Sequence, residues 1–225
     1  MRAIFFDMDG TLLDTIEDIA NSMNHVLQGL GLEVHDIEKY KLFVGNGMEM
    51  LVKRSVGLLP DTGTWISAMQ MMEEWYAGHC MDRTVPYPGI MEMLDVLWSR
   101  GIKTAILSNK PDIFTKKMAD RFFNPSGFDI VRGTVEGIPR KPNPAAALDM
   151  ASSMGIAPDE IVFVGDTKVD MITARSAGMY PAGVLWGFRD KDELVSNGAK
   201  TLIKDPSELL DLVSLGDLSC SGGSD

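Results

Sequence analysis

The feature that most constrains the fold is a series of short apolar segments, each followed by a helical pattern, with one long interruption. The segments are Ala3–Phe6, Ile102–Leu107, Ile161–Val164 and Gly183–Leu185, with weaker ones near Ile130 and Leu202. Continuous apolar runs of this length suit strands covered on both faces, and their alternation with helices predicts a parallel sheet. A helix predicted over Pro88–Arg100 carries Ile90, Met93, Leu94 and Leu97 on one stripe, with Gly101 as its stop. Pro142–Met154 is similar and ends at Gly155. The expected class is α/β, a doubly wound parallel sheet.

The interruption runs from Thr15 to Met81, where the pattern is helical throughout. Ile16, Ile19, Ala20, Met23, Val26, Leu27 and Leu30 form one amphipathic stripe, and Trp65, Met69, Met72, Trp75 and Tyr76 form another. Met48, Leu51, Val52 and Ser55–Val56 predict a shorter helix between them. The expectation is a helical domain, 15–81, inserted into a core of 1–14 and 82–215. Pro86-Tyr87-Pro88-Gly89 is its rigid exit turn. A Ser/Gly-rich stretch, 216–225, reads as a flexible tail.

Composition narrows the partners. The 225 residues are 45% hydrophobic and 24% charged, ordinary for a globular chain of one large domain with an insert. Thirty-two acidic against 21 basic residues give a net charge of -11, which disfavours a nucleic-acid partner but leaves room for a small anion in a locally basic pocket. Cys80 and Cys220 are too few for a zinc or disulfide framework. The sixteen methionines are read as adaptable core filler. No apolar run approaches the ~20 residues of a membrane helix, and Asp7 comes too early for a signal peptide, so no membrane partner and a cytoplasmic setting are expected. Oligomeric state is open between monomer and homodimer.

The most informative segment is Asp7-Met8-Asp9-Gly10-Thr11, directly after the first apolar run. Two carboxylates one residue apart at the carboxyl end of a parallel strand can face a common cleft, where open α/β sheets bind ligands. Carboxylates so close repel one another unless a cation neutralises them, and Mg²⁺ is the natural candidate. Gly165-Asp166-Thr167-Lys168-Val169-Asp170 supplies further acids after a later strand, although Asp166 would serve equally as a helix N-cap. Ser108, Asn109 and Lys110 follow the second strand, and Lys141 lies in Arg140-Lys141-Pro142. Acid pairs after two strands, with Ser and Lys after others, point to a phosphoryl-handling site.

Over Arg2 to about Leu212 these segments resemble the haloacid dehalogenase superfamily. Asp7–Thr11 is similar to its first motif, Ser108 to its second, Lys141 to its third, and Gly165-Asp166 with Asp170 to its fourth. The resemblance implies a Rossmann-like core with a helical cap inserted after the first motif. It also implies that Asp7 is a nucleophile forming an aspartyl-phosphate, that Asp9 is the general acid and base, and that Ser108 and Lys141 bind the phosphoryl group. Mg²⁺ would be held by Asp7, the Asp9 backbone carbonyl, Asp166 and Asp170. An acid at position 9 favours phosphatase or phosphomutase over dehalogenase, because an alkoxide leaving group needs a proton and a halide does not.

Phe43-Val44-Gly45-Asn46-Gly47 before the short helix resembles the cap loop of phosphoglycolate phosphatases, as does Ser108-Asn109-Lys110-Pro111. The implied substrate contacts are Thr11, Gly45, Asn46, Gly47, Arg54, Asn109 and Lys110, with Lys53 a further candidate for a substrate carboxylate. His25, His35 and His79 lack metal-ligand spacing and are read as structural or exposed. The leading expectation is a Mg²⁺-dependent phosphatase acting on a small phosphorylated metabolite, 2-phosphoglycolate above others. A β-phosphoglucomutase-like phosphoryl transferase or a pyrophosphatase is the alternative. A non-catalytic binding protein on the same fold is the third, disfavoured because every acid and base the chemistry needs is present.

Overall fold

The apolar segments become strands of one sheet in a computed structural model that describes residues 1–57, 62–124 and 126–214. The expected tail, 216–225, and Cys220 within it lie outside the described residues. β1 (Ala3–Phe6) and a two-residue β2 (Leu13–Asp14) lead into four helices: α1 (Ile16–Gly29), α2 (Ile37–Phe43), α3 (Met48–Val56) and α4 (Thr62–His79). β3 (Val85–Pro86) returns the chain to α5 (Ile90–Ser99), β4 (Lys103–Pro111), α6 (Asp112–Phe122), β5 (Ile130–Thr134) and α7 (Ala145–Met154). The remainder is β6 (Ile161–Gly165), α8 (Lys168–Ser176), β7 (Tyr180–Val184), α9 (Lys191–Ser196), β8 (Thr201–Ile203) and α10 (Leu209–Ser214).

Six strands form a parallel sheet in the order β5-β4-β1-β6-β7-β8. After β1 the chain builds outward through β4 and β5, then crosses to the other side for β6. The carboxyl end of β1, flanked by β4 and β6, is therefore the switch point at which such sheets open a crevice. Both faces are packed, which is why β1 has no polar residue. Ile4 and Phe6 enter one core with Ile90, Leu94 and Leu97 of α5, while Ala3 and Phe5 enter the other with Ala147 and Met150 of α7. This is the period-two signature of a doubly wound α/β fold.

Helices α1 to α4 enclose a separate apolar cluster that includes Ile19, Met23, Leu27, Tyr40, Val52, Met72 and Tyr76. Two chain crossings join them to the sheet. There β2 and β3 pair antiparallel, Leu13 opposite Pro86 and Asp14 opposite Val85. Asp18 of α1 fastens the second crossing by accepting the N–H groups of Arg83 and Thr84 and the Thr84 hydroxyl. Among the described residues no helix is long and apolar enough to cross a membrane.

Three details differ from the pattern in the sequence. β4 continues past Leu107 through Ser108-Asn109-Lys110 to Pro111, because those polar residues face a buried site and not solvent. β7 starts at Tyr180, where Pro181 would ordinarily demote a strand. The short α2 and the β2–β3 ribbon have too few residues to show a period.

Candidate active site

At the end of β1 the chain turns sharply. The Asp7 N–H donates to the Val164 carbonyl at 2.9 Å, and the Met8 N–H to Asp7 Oδ1 at 2.7 Å. Gly10 follows at φ 83°, and a Cβ there would run into the Asp166 carboxylate and the Phe188 ring. Only glycine tolerates both the backbone angle and that approach.

Asp7, Asp166 and Asp170 each bring one carboxylate oxygen within 4.8 Å of the others, all three buried. Asp166 accepts the Phe188 N–H at 2.8 Å and the Thr11 hydroxyl at 3.3 Å. Asp170 closes the first turn of α8 by accepting the Thr167 N–H at 3.1 Å and hydroxyl at 2.7 Å. The N-cap is thus Thr167, which leaves Asp166 free to face the cluster. Lys141 Nζ lies 3.0 Å from Asp7 Oδ1 and 2.7 Å from Asp170 Oδ1.

The electrostatics follow from crowding. Burial pushes the Asp7 carboxyl up; Lys141 opposes this, the Asp170 and Asp9 charges add to it, and the result is about 7. Burial, then the Asp170 and Asp7 charges, hold Asp166 well above the usual carboxylate range. Burial alone would depress Lys141, but Asp170 and Asp7 outweigh it and push its ammonium up. Three buried carboxylates face one ammonium, so the donor set fits a hard divalent cation.

A second ion pair stands across the same cavity. Lys110 Nζ is 2.9 Å and 3.0 Å from the two Asp9 carboxylate oxygens and donates to the Tyr76 hydroxyl at 2.8 Å. The cavity, about 50 Å³, is bordered by Asp7, Asp9, Ser108, Asn109 and Lys110 from the sheet side. From the helical side it is bordered by Ile19, Gly45, Gly47, Leu51, Met72 and Tyr76. With roughly 10–15 Å³ needed per water on this measure, it holds a few waters or one small ligand. Asn109 bridges the two sides, its Nδ2 donating to the Gly45 and Lys141 carbonyls at 2.9 Å each, while its buried Oδ1 has no partner. Gly47 caps α3 at φ 87°, where a Cβ would sit 3.1 Å from the Asn109 carbonyl oxygen.

The structure brings Asp7, Asp9, Ser108, Asn109, Lys110, Lys141, Asp166, Asp170, Gly45 and Gly47 together. Of these, Lys141, Asp166 and Asp170 lie behind Asp7 and not on the cavity wall. Thr11 joins them through its hydrogen bond to Asp166, while Asn46 and Arg54 neither border the cavity nor bond to the cluster. Arg54 is spent on the loop before α3, donating to the Phe43 carbonyl at 2.6 Å and Asn46 Oδ1 at 2.7 Å. Lys53 pairs with Glu49 at 2.8 Å. The Asp9 carboxylate faces Lys110, outside the three-acid cluster. His25 and His79 stack on Trp75, away from the cavity. Sequence reading missed Tyr76 as a polar group in the site, since it sat unmarked in an apolar stripe. It also missed Arg189, which donates to the Leu42 carbonyl at 3.3 Å and the Val44 carbonyl at 3.0 Å.

A helical unit closed over an acid cluster, at the switch point of a doubly wound sheet, describes a capped α/β enzyme. The chain belongs to the haloacid dehalogenase-like hydrolases, whose family pattern matches residues 4–184. A phosphoglycolate phosphatase from Chromobacterium violaceum is 30% identical over 220 residues, 96% of this chain and 98% of its own. Phosphoglycolate phosphatase 1 from Pseudomonas aeruginosa is 31% identical, over 96% of this chain and 80% of its own. A crystal structure from Lactobacillus delbrueckii subsp. bulgaricus, of a protein assigned as a phosphoglycolate phosphatase, matches with a TM-score of 0.88 at 29% identity. It covers 94% of this chain and 98% of its own. The chain is a hydrolase of the phosphatase type, similar to phosphoglycolate phosphatases.

Proposed function

We propose that the protein hydrolyses a small phosphomonoester, 2-phosphoglycolate above others, through a phosphoryl group carried on Asp7. The observation that carries this reading is that Asp7 and Asp9 border one cavity but are held by different lysines, at 3.0 Å by Lys141 and 2.9 Å by Lys110. A nucleophile and an acid/base group must occupy such separate places around one phosphorus atom.

Asp7 Oδ attacks phosphorus as the bond to the leaving oxygen breaks, and Asp9, carrying a proton for this step, gives it to that oxygen. Asp9 then takes a proton from water, whose oxygen attacks phosphorus, breaks the bond to Asp7 and releases phosphate. Ser108 and Lys141 orient the transferring group and offset its charge. Asp7, Asp166 and Asp170, with the Asp9 backbone carbonyl, would hold Mg²⁺, which when bound supplies positive charge to the phosphoryl oxygens. The helices of 15–81 serve as a cap over the core of 1–14 and 82–215, excluding water and contacting the leaving group. Gly45 and Gly47 give the substrate close backbone approach. The small cavity and the named relatives support 2-phosphoglycolate, and the acidic composition fits a small metabolite better than a nucleic acid.

Phosphate release from 2-phosphoglycolate, pyrophosphate, β-glucose 1-phosphate, other sugar phosphates and nucleotides, with Mg²⁺, tests this beside Asp7→Asn and EDTA controls. A kcat/KM preference for 2-phosphoglycolate that Asp7→Asn abolishes supports the whole reading. A sugar-favouring profile with the same Asp7 dependence overturns the substrate alone. Turnover of β-glucose 1-phosphate only in the presence of a bisphosphate activator would make the protein a mutase.

A further inference from the structure

Lys110, read from the sequence as a substrate contact, has a full set of partners within the protein. It spans both Asp9 oxygens and bonds the Tyr76 hydroxyl, and its side chain is only 4% exposed. The three residues come from three separate parts of the chain: the turn after β1, the end of β4, and α4 of the helical unit. Tyr76 is itself held, its ring edge-on to Phe114 of α6 at 5.2 Å and 1% exposed. Tyr76 therefore reaches Lys110 only while α4 is seated against the sheet.

We infer that Lys110, braced by Tyr76, is the positioning residue for Asp9, aiming its carboxyl at the leaving oxygen when the helical unit is closed. The inference rests on the reading of Asp9 as the acid/base group and adds to it the parts that hold that group in place. Asp9 lies on a turn and borders an open cavity, so its side chain would otherwise rotate among several rotamers. A misplacement of about 1 Å in such a group can lower rate by roughly 10²-fold. Lys110 serves by fixing the geometry of a neighbour, and it does not gather the substrate.

The two roles differ in what they do to leaving groups. A misplaced general acid harms expulsion of a strongly basic alkoxide far more than of a weakly basic aryloxide. A lost substrate-binding cation raises KM for both. The experiment is single-turnover phosphate transfer with Mg²⁺ from 2-phosphoglycolate and from p-nitrophenyl phosphate, for the wild type, Asp9→Asn, Lys110→Met, Lys110→Arg and Tyr76→Phe. Thermal melts confirm folding, and Tyr76→Phe, which removes one oxygen, keeps the test alive if Lys110→Met does not fold.

The expected result is a loss of about 10²-fold for Lys110→Met on the alkyl ester, under about 10-fold on the aryl ester, and little change in KM. Tyr76→Phe shows the same selectivity with a loss of about 10-fold, and Lys110→Arg recovers part of the rate. Equal losses on both esters, or an effect confined to KM, would overturn the inference while Asp9→Asn still discriminates between the esters. If Asp9→Asn itself fails to discriminate, the acid/base reading and this inference fall together.

Discussion

The site has two buried lysines, Lys110 on the cavity wall and Lys141 behind Asp7, and they are held differently. Lys141 pairs with Asp7 and Asp170, both on the sheet side. Lys110 takes one partner from the sheet side, Asp9, and one from a helix that reaches the sheet through two narrow crossings, Tyr76. One half of the site is thus fixed by the fold, and the other is completed by the placement of the helical unit. The proposed chemistry divides the same way, with attack on phosphorus assigned to the first half and expulsion of the leaving group to the second.

The strongest test of that division is Asp7→Asn, expected to lower kcat by at least ~10⁴-fold with the melting temperature held or raised, because a buried repulsive charge is gone. Lys141→Met comes next. It should cost about 10²–10³-fold in kcat, and in EDTA about 3–5 kcal/mol of stability, since two buried carboxylates lose their ammonium. Calorimetry should then show Mg²⁺ recovering much of that loss. If Lys141→Met melted like the wild type in EDTA, the fixed half would not be electrostatically strained.

A third prediction concerns pH. The Asp7 carboxyl stands at about 7 against an ordinary 3.8, so the metal-free folded chain binds more protons than the unfolded one between those values. Metal-free stability should therefore fall as pH rises through roughly 4 to 7, and the gain on adding Mg²⁺ should grow over the same window as protons leave the cluster. Melting curves with EDTA or Mg²⁺ at stepped pH check this; a Mg²⁺ gain independent of pH would contradict it.

On the helical side the effects are smaller. Gly47→Ala puts a Cβ 3.1 Å from the Asn109 carbonyl at φ 87°, so about 1–3 kcal/mol of strain and a several-fold rise in KM are expected, with kcat nearly unchanged. Smallest is Glu49→Gln. The Glu49–Arg140 bridge across the two units, 3.3 Å long, has side chains 39% and 41% exposed, and its loss should change stability by no more than about 0.5 kcal/mol.

The same contrast explains what could be read from sequence. The sheet half was legible because its constraints are local: an apolar run must end where Asp7 begins, and Gly165-Asp166 repeats that arrangement one strand over. The boundaries of β1 are those of its apolar run, Ala3–Phe6. On the helical side the helices were legible, but their contacts were not. The charge of Arg54 suggested a ligand, but the sequence does not record that in the folded chain it bonds the Phe43 carbonyl and Asn46. Tyr76 and Lys110 are 34 residues apart, and no periodicity records that the hydroxyl of one would meet the ammonium of the other.

The most direct test of the account is to trap the phosphoryl group. The enzyme, mixed with Mg²⁺ and a turned-over phosphomonoester, is quenched within the first turnover and treated with borohydride, which reduces an acyl phosphate to an alcohol. Peptide mass spectrometry then locates the change. The account predicts reduction at Asp7, none at Asp9, and none in Asp7→Asn. Label at another residue, or full turnover with no trapped intermediate and retained activity in Asp7→Asn, would contradict it.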